Sequence, residues 1–363
     1  MIHASKQFSR RTALTATAAA VAGTAVIGST APARAVPRGR YRIDLHAHFL
    51  PPEYRAALID HGYLTIGGYP TPQWSPEAAI DFMDNWGIAA QALSISDPGV
   101  SFLPGQEARE MARYCNTYAA QLFTTYRRRF GAFAVLPMPD IAASIAEATY
   151  ALDTLHLDGV IALSAYHGVY LDDPRFEPLM AALNARNAYV FVHPASLPAN
   201  AKPELPLPDF LAEFTFDTTR AATMMMTTGM MNRYPNIRFQ LAHAGGTLPF
   251  LSHRIGVLSQ TPIGKVWPSG APRASLLDTE HLIDSFYYDT ALSASAAAMR
   301  SVLAVTKRTH IVFGSDWPFS SLTFTGSGDP APGLNDVFTP AQRIEVERTN
   351  PLRQLPRLAD RVM

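Results

Sequence analysis

The stretch Tyr41-Arg-Ile-Asp-Leu-His-Ala-His-Phe49 decides the fold. It reads as a strand, and residues two apart on a strand point to the same side, so the imidazoles of His46 and His48 face a common point. One His-x-His pair is a modest sign of metal ligation, but three later runs repeat the design. His193 closes Ala188-Tyr-Val-Phe-Val-His193, His243 closes Ile237-Arg-Phe-Gln-Leu-Ala-His243, and Asp316 follows His310-Ile-Val-Phe-Gly-Ser315. Each time, a metal-competent side chain stands at or just past the C-terminal end of a β-branched and aromatic run. Chance rarely repeats that pattern four times.

Outward from these runs, short apolar segments alternate with helical patterns. Strands are predicted near Arg42–His46, Ala90–Ser94, Gly131–Leu136, Gly159–Leu163, Tyr189–His193, Arg238–Ala242, Phe286–Tyr288 and His310–Phe313. Helices are predicted near Pro76–Trp86, Glu107–Tyr126, Ile141–Leu155, Pro174–Arg186, Thr218–Tyr234, Leu248–Leu258, Ser295–Val305 and Pro340–Thr349. This alternation implies an α/β chain folded as a closed parallel (β/α)8, or TIM, barrel rather than an open sheet. The metal site then lies at the C-terminal ends of the strands, where such barrels keep their chemistry. Three stretches break the rhythm: Leu58–Ser75, Pro194–Asp209 and Leu322–Thr339. All follow strands ending in candidate ligands and are expected to wall or cover one pocket. The methionines at 224–226, 230 and 231 read as helix core.

Residues 1–35 read as an export leader and are set apart from the barrel domain, 36–363. Arg10-Arg11 precedes an alanine-rich apolar stretch to about Gly28, and Ala33-Arg34-Ala35 offers a small-x-small cleavage site, resembling the twin-arginine route to the periplasm or medium. The stretch is shorter and less apolar than the roughly 20 residues of a membrane span. Loss of Lys6, Arg10, Arg11 and Arg34 takes the formal net charge from +0 to −4. That leaves no basic field for nucleic acid. Cys115 is the single cysteine, which excludes disulfides within the chain; it falls in a predicted helix and reads as a small buried apolar residue.

Three imidazoles and a carboxylate suit a borderline divalent ion, zinc foremost, with manganese or cobalt also accommodated. His46, His48, His193, His243 and Asp316 exceed the usual ligand number of catalytic zinc, so one of them supports a ligand or carries protons. A second ion in such barrels commonly uses a modified lysine at the end of strand 4. The only lysines are Lys6, Lys202, Lys265 and Lys307, none of them there. The site is therefore expected to be mononuclear.

The motifs Asp44-Leu-His-Ala-His-Phe-Leu-Pro-Pro52, Phe191-Val-His-Pro194, Leu241-Ala-His-Ala-Gly-Gly246 and Phe313-Gly-Ser-Asp-Trp-Pro318 together resemble the amidohydrolase superfamily. They are most similar to its decarboxylase branch, typified by aminocarboxymuconate semialdehyde decarboxylase and the salicylate-type decarboxylases. The resemblance implies that His46, His48, His193 and Asp316 hold the metal and that His243 is the catalytic acid or base. It further implies that Arg254, eleven residues beyond that histidine, reaches a neighbouring subunit's pocket to hold a substrate carboxylate, and hence a homodimer. Within the branch, Trp74-Ser-Pro-Glu77, Leu93-Ser-Ile-Ser96-Asp-Pro-Gly-Val100 and Phe216-Asp-Thr-Thr-Arg220 look most like 6-methylsalicylate decarboxylase sequences. No arginine lies between Arg55 and Arg109 to match the early one of the muconate enzyme, which disfavours a two-carboxylate substrate.

The expected reaction is non-oxidative decarboxylation of an ortho-hydroxybenzoate, with Asp316 as proton donor to the ring carbon. A metal depresses that carboxyl, so the proton must arrive with the substrate or through His243. Phe49, Tyr166, His167, Trp317 and Phe319 follow strand ends and are candidates to sandwich the ring. Hydrolysis of a lactone or other cyclic ester would use the same ligands. A non-enzymatic, exported metal- or ligand-binding barrel is a third reading, against which the pairing of Asp316 with His243 argues.

Overall fold

In the computed structural model, which describes residues 39–203, 205–259 and 276–363, eight apolar runs become eight strands. They are β1 (Arg42–His48), β2 (Ile88–Ser94), β3 (Phe130–Ala134), β4 (Gly159–Leu163), β5 (Tyr189–His193), β6 (Arg238–Leu241), β7 (Tyr287–Asp289) and β8 (Ile311–Val312). Each pairs in parallel with the next in sequence. Backbone bonds then join β1 to the chain leaving β8: Leu45 N–H to Phe313 O at 2.9 Å, Asp316 N–H to His46 O at 2.7 Å and His48 N–H to Trp317 O at 2.7 Å. The two edges of the sheet meet, and the sheet becomes a barrel. Every residue of β1 is buried, as expected for a strand covered on both faces.

Helices cross over between strands. Ser75 caps α1 (Pro76–Asn85) by accepting from Ala78 N–H, and Pro76 occupies its first turn, where a missing N–H is harmless. There follow α2 (Gly105–Thr125), α3 (Ile141–Thr149), α4 (Glu177–Asn184), α5 (Glu213–Thr227), α6 (Leu248–Ser259), α7 (Leu276–Ser285) and α8 (Ala296–Leu303). The helix expected to run to Tyr234 breaks instead at Gly229, whose φ of +76° lies outside the helical region. Met225, Met226, Met230 and Met231 are core residues, and Cys115 is buried within α2. Among the described residues no helix is long and apolar enough to cross a membrane. The export leader lies outside the described residues.

Two elements depart from the sequence reading. The stretch Leu322–Thr339 does not wall the mouth: its Asp329 accepts from Arg42 at 3.2 Å and pairs with Arg343, at the N-terminal end of β1. Burying Arg42, Arg343 and Glu347 together requires that extra carboxylate, and the loop is drawn to it. Beyond Thr349 the chain adds the helices Asn350–Gln354 and Pro356–Val362. Arg357 fixes the second of these by donating to Leu152 O and Leu157 O, both at 2.7 Å.

Candidate metal centre and active site

His46 and His48 point inward from the end of β1, as strand alternation requires. His193 ends β5. Asp316 reaches them from the loop after β8, where its φ of +61° turns the chain sharply back over the mouth. One ligand atom from each of the four lies within 4.8 Å of all the others, and all four side chains are buried. His46 Nε2 stands 3.2 Å and His48 Nε2 3.1 Å from Asp316 Oδ1.

The outer nitrogen of each imidazole is already committed. His46 Nδ1 faces Asp289 Oδ2 at 2.8 Å, and His193 Nδ1 faces Pro194 O at 2.9 Å. His48 Nδ1 lies 3.0 Å from Ser94 Oγ, whose hydrogen goes to Ala47 O. In the neutral form that donates Nδ1–H to its acceptor, each imidazole turns an Nε2 lone pair toward one point, which is the arrangement a divalent cation needs. The donor set therefore fits a metal ion. Burial lowers the affinity of His48 and His193 for protons, the latter well below 6.5, which favours the neutral form a metal requires. Burial also opposes charge on His46, but Asp289 and Asp316 outweigh it and push the group up to about 10. Burial would raise Asp316, yet His46, with hydrogen bonds from all three neighbouring histidines, holds it well below the usual carboxylate range.

Two buried acids that the sequence reading did not single out organise this cage. Asp289, at the end of β7, accepts from His46 Nδ1 and from Gln240 Nε2 at 3.0 Å on one oxygen. On the other it accepts from His243 N–H at 2.9 Å and Ala291 N–H at 3.1 Å. Asp44 accepts from His46 N–H, Gln91 Nε2, Ser315 N–H and Ser315 Oγ. Asp44 and Asp289 both had a sequence signal: acids within or just past an apolar run, like Asp316 itself.

His243 stands beside the cage rather than in it. Its Nε2 is 3.3 Å from Asp316 Oδ2, and its buried Nδ1 has no hydrogen-bond partner. A left-handed run puts it there: His243, Ala244, Gly245 and Gly246 all have positive φ, from 54° to 73°. Gly246 is required, since a Cβ would lie 2.1 Å from Thr215 O.

His193, His243 and Asp316 open onto a cavity of about 30 Å³, whose other walls are Ile66, Tyr69, Ser96, Phe210, Phe214, Leu292 and Phe319. Ile66 and Tyr69 come from a small hairpin, Thr65–Ile66 with Tyr69–Pro70, inside the first long loop. Phe210 follows the second. Of the aromatic side chains expected around the ring, Phe319 lines the cavity, with its ring 5.4 Å from that of His48. The others point elsewhere. Phe49 packs on Trp74, Trp317 stacks on Phe82 at 5.1 Å, Tyr166 is buried against Phe176, and His167 is exposed at a turn. Arg254 is exposed on α6.

A parallel barrel with a buried three-histidine, one-aspartate cage at the C-terminal ends of its strands defines a metal-dependent enzyme of the amidohydrolase kind. The amidohydrolase family model matches residues 43–357, and the chain belongs to that family. It is 37% identical over 304 residues to the decarboxylase yanB of Aspergillus niger, covering 78% of each chain. It is 34% identical over 328 residues to the 6-methylsalicylic acid decarboxylase acuB of Aspergillus aculeatus, covering 87% of this chain and 96% of that one. A dihydroxybenzoic acid decarboxylase of Polaromonas sp. JS666, solved with manganese and the inhibitor 2-nitroresorcinol, shares the fold with a TM-score of 0.70. That match is 20% identical and covers 87% of this chain and 96% of that one.

Proposed function

We propose that this chain is a metal-dependent decarboxylase that removes the carboxyl group of a 2-hydroxybenzoate such as 6-methylsalicylate. The carrying observation is a histidine with a free ring nitrogen, His243, hydrogen-bonded to a cage aspartate at the edge of a cavity walled largely by Phe, Leu and Ile side chains. Relatives at 34% and 37% identity named as decarboxylases support this over lactone hydrolysis, which would use the same ligands.

His46, His48, His193 and Asp316 would hold one divalent ion, zinc by the chemistry of the donors, with manganese the alternative. When bound, that ion supplies positive charge to stabilise the phenolate and carboxylate oxygens of the substrate. The rest falls to the chain. His243 passes a proton from Nε2 to Asp316 Oδ2, and Asp316 delivers it to the ring carbon that bears the carboxyl group. The bond from that carbon to the carboxyl then breaks, its electron pair returns to the ring, and carbon dioxide leaves. The apolar walls exclude water that would compete for the proton. Arg254 of a second copy is our assignment for the group that grips the substrate carboxylate, across a homodimer, and residues 1–35 are our assignment for export of the folded enzyme.

The test is direct. Protein loaded with one equivalent of zinc or manganese should convert 6-methylsalicylate to 3-methylphenol and carbon dioxide, whereas lactone cleavage without any phenol overturns the proposal. His243→Ala should retain its metal by elemental analysis while turnover falls on the order of 10²- to 10⁴-fold. Loss of metal in that variant would instead make His243 a ligand.

A further inference from the structure

The segment Phe216-Asp-Thr-Thr-Arg220 lies on α5, and its Asp217, 1% exposed, is neither a ligand of the cage nor a wall of the cavity. Burying a carboxylate is costly unless donors surround it, and here they come from three other elements. Asp217 Oδ1 accepts from the Tyr170 hydroxyl at 2.7 Å, on the hairpin that pairs Ala165–Tyr166 with Val169–Tyr170. Asp217 Oδ2 accepts from the Ser164 hydroxyl, just past β4, and from Ala195 N–H at 2.9 Å, two residues past His193. The last of these bonds leads to the cage. Ala195 N–H and Pro194 C=O belong to one rigid peptide plane, and Pro194 O stands 2.9 Å from His193 Nδ1. The proline ring fixes φ of Pro194 at about −65°, so this plane turns only about ψ. An acceptor that holds its N–H edge therefore also sets where its carbonyl edge faces, and with it the ring of His193.

We infer that Asp217 is a positioning residue for the metal ligand His193, acting through the Pro194–Ala195 peptide. His46 meets its acid directly, in Asp289, whereas His193 has its acid one peptide removed. The Asp217 carboxylate draws on Ala195 N–H, fixes the plane and polarises Pro194 O, which strengthens the hold of that oxygen on Nδ1–H. Nε2 of His193 then stays aimed at the centre of the cage. The inference rests on the cage as a metal site and is independent of which substrate the enzyme takes.

Two variants test it. Asp217→Ala removes the acceptor, whereas Asp217→Asn keeps an oxygen for Ala195 N–H without the charge, and the hydroxyls of Ser164 and Tyr170 can turn to suit an amide. Zinc affinity, measured by competition with a chelator, should fall about 10- to 100-fold in Asp217→Ala, with Asp217→Asn between it and the parent. The cobalt-loaded variants should also show a shifted visible absorption, because a turned His193 changes the geometry around the ion. A mere loss of stability would lower the yield of folded protein and leave that absorption as in the parent. Should Asp217→Ala fail to fold, Asp217→Asn carries the test alone, with weaker zinc binding and a shifted cobalt absorption expected. Parental zinc affinity in the folded variants, or weakened binding with the parental cobalt absorption, overturns the inference. A parent protein that takes up no metal at all removes the metal cage as well, so the two failures are distinguishable.

Discussion

Asp289 carries four hydrogen bonds on two oxygens in the barrel interior, one to the ring of a ligand and one to the backbone of His243. Asn at this position would put an amide NH2 against N–H donors on one side or the other. Metal affinity in Asp289→Asn should fall about 10- to 100-fold, measured by competition with a chelator. Unaltered affinity would reduce Asp289 to a packing residue. Asp97 offers a different reading of burial. Desolvation pushes it up to about 6 from 3.8, against hydrogen bonds from Ser196 that pull it down. The folded protein thus keeps a proton that the unfolded chain releases between those values. Its contribution to stability is complete at low pH and is lost as pH rises through about 6, a change of about 3 kcal/mol. Asp97→Asn should therefore gain on the parent by about 2 kcal/mol between pH 4 and pH 7 in denaturant unfolding. A difference independent of pH would contradict this.

At the scale of elements, the turn 243–246 is where backbone conformation serves chemistry. A methyl group on Gly246 would collide with Thr215 O and occupy a φ of +63° and ψ of −125° that only glycine tolerates. Gly246→Ala should lose at least about 2 kcal/mol of stability and much of its turnover, read by thermal unfolding and initial rates. The turn's glycines are visible in the sequence, but its left-handedness is not. All eight strands were legible, because parallel strands buried on both faces are rich in apolar and β-branched residues even where, as in β1, ligands and buried acids interrupt the run. So were the four cage residues, each punctuating such a run. The cavity walls were harder, since a long loop announces its presence and not the direction of its side chains. Phe49 could have been read better: it follows His48 by one residue, and alternation on an extended chain sends such a neighbour away from the ligand's side. Asp289 was missed because the seventh run was read to stop one residue short of it.

At the scale of the whole molecule, the two ends of the barrel divide the work. Chemistry is gathered at the C-terminal ends of the strands, while the opposite end is pinned by Arg42, Arg343, Glu347 and Asp329, with Tyr41 on Glu347. Removing one carboxylate leaves two buried guanidinium groups under-compensated. Glu347→Ala should lower unfolding free energy by about 3 to 5 kcal/mol, with KM unchanged in whatever fraction remains folded. A loss below 1 kcal/mol would mean that water reaches the cluster. The seam between β1 and the chain after β8 has a different consequence. The same few residues that close the barrel, His46, His48 and Asp316, also supply cage ligands, and they come from the beginning and the end of the described chain. A nascent polypeptide emerging from the ribosome shows its first two histidines early but has no complete cage until the last aspartate follows. The four-residue cage is thus completed only by the C-terminal part of the barrel, after the last strand has been made.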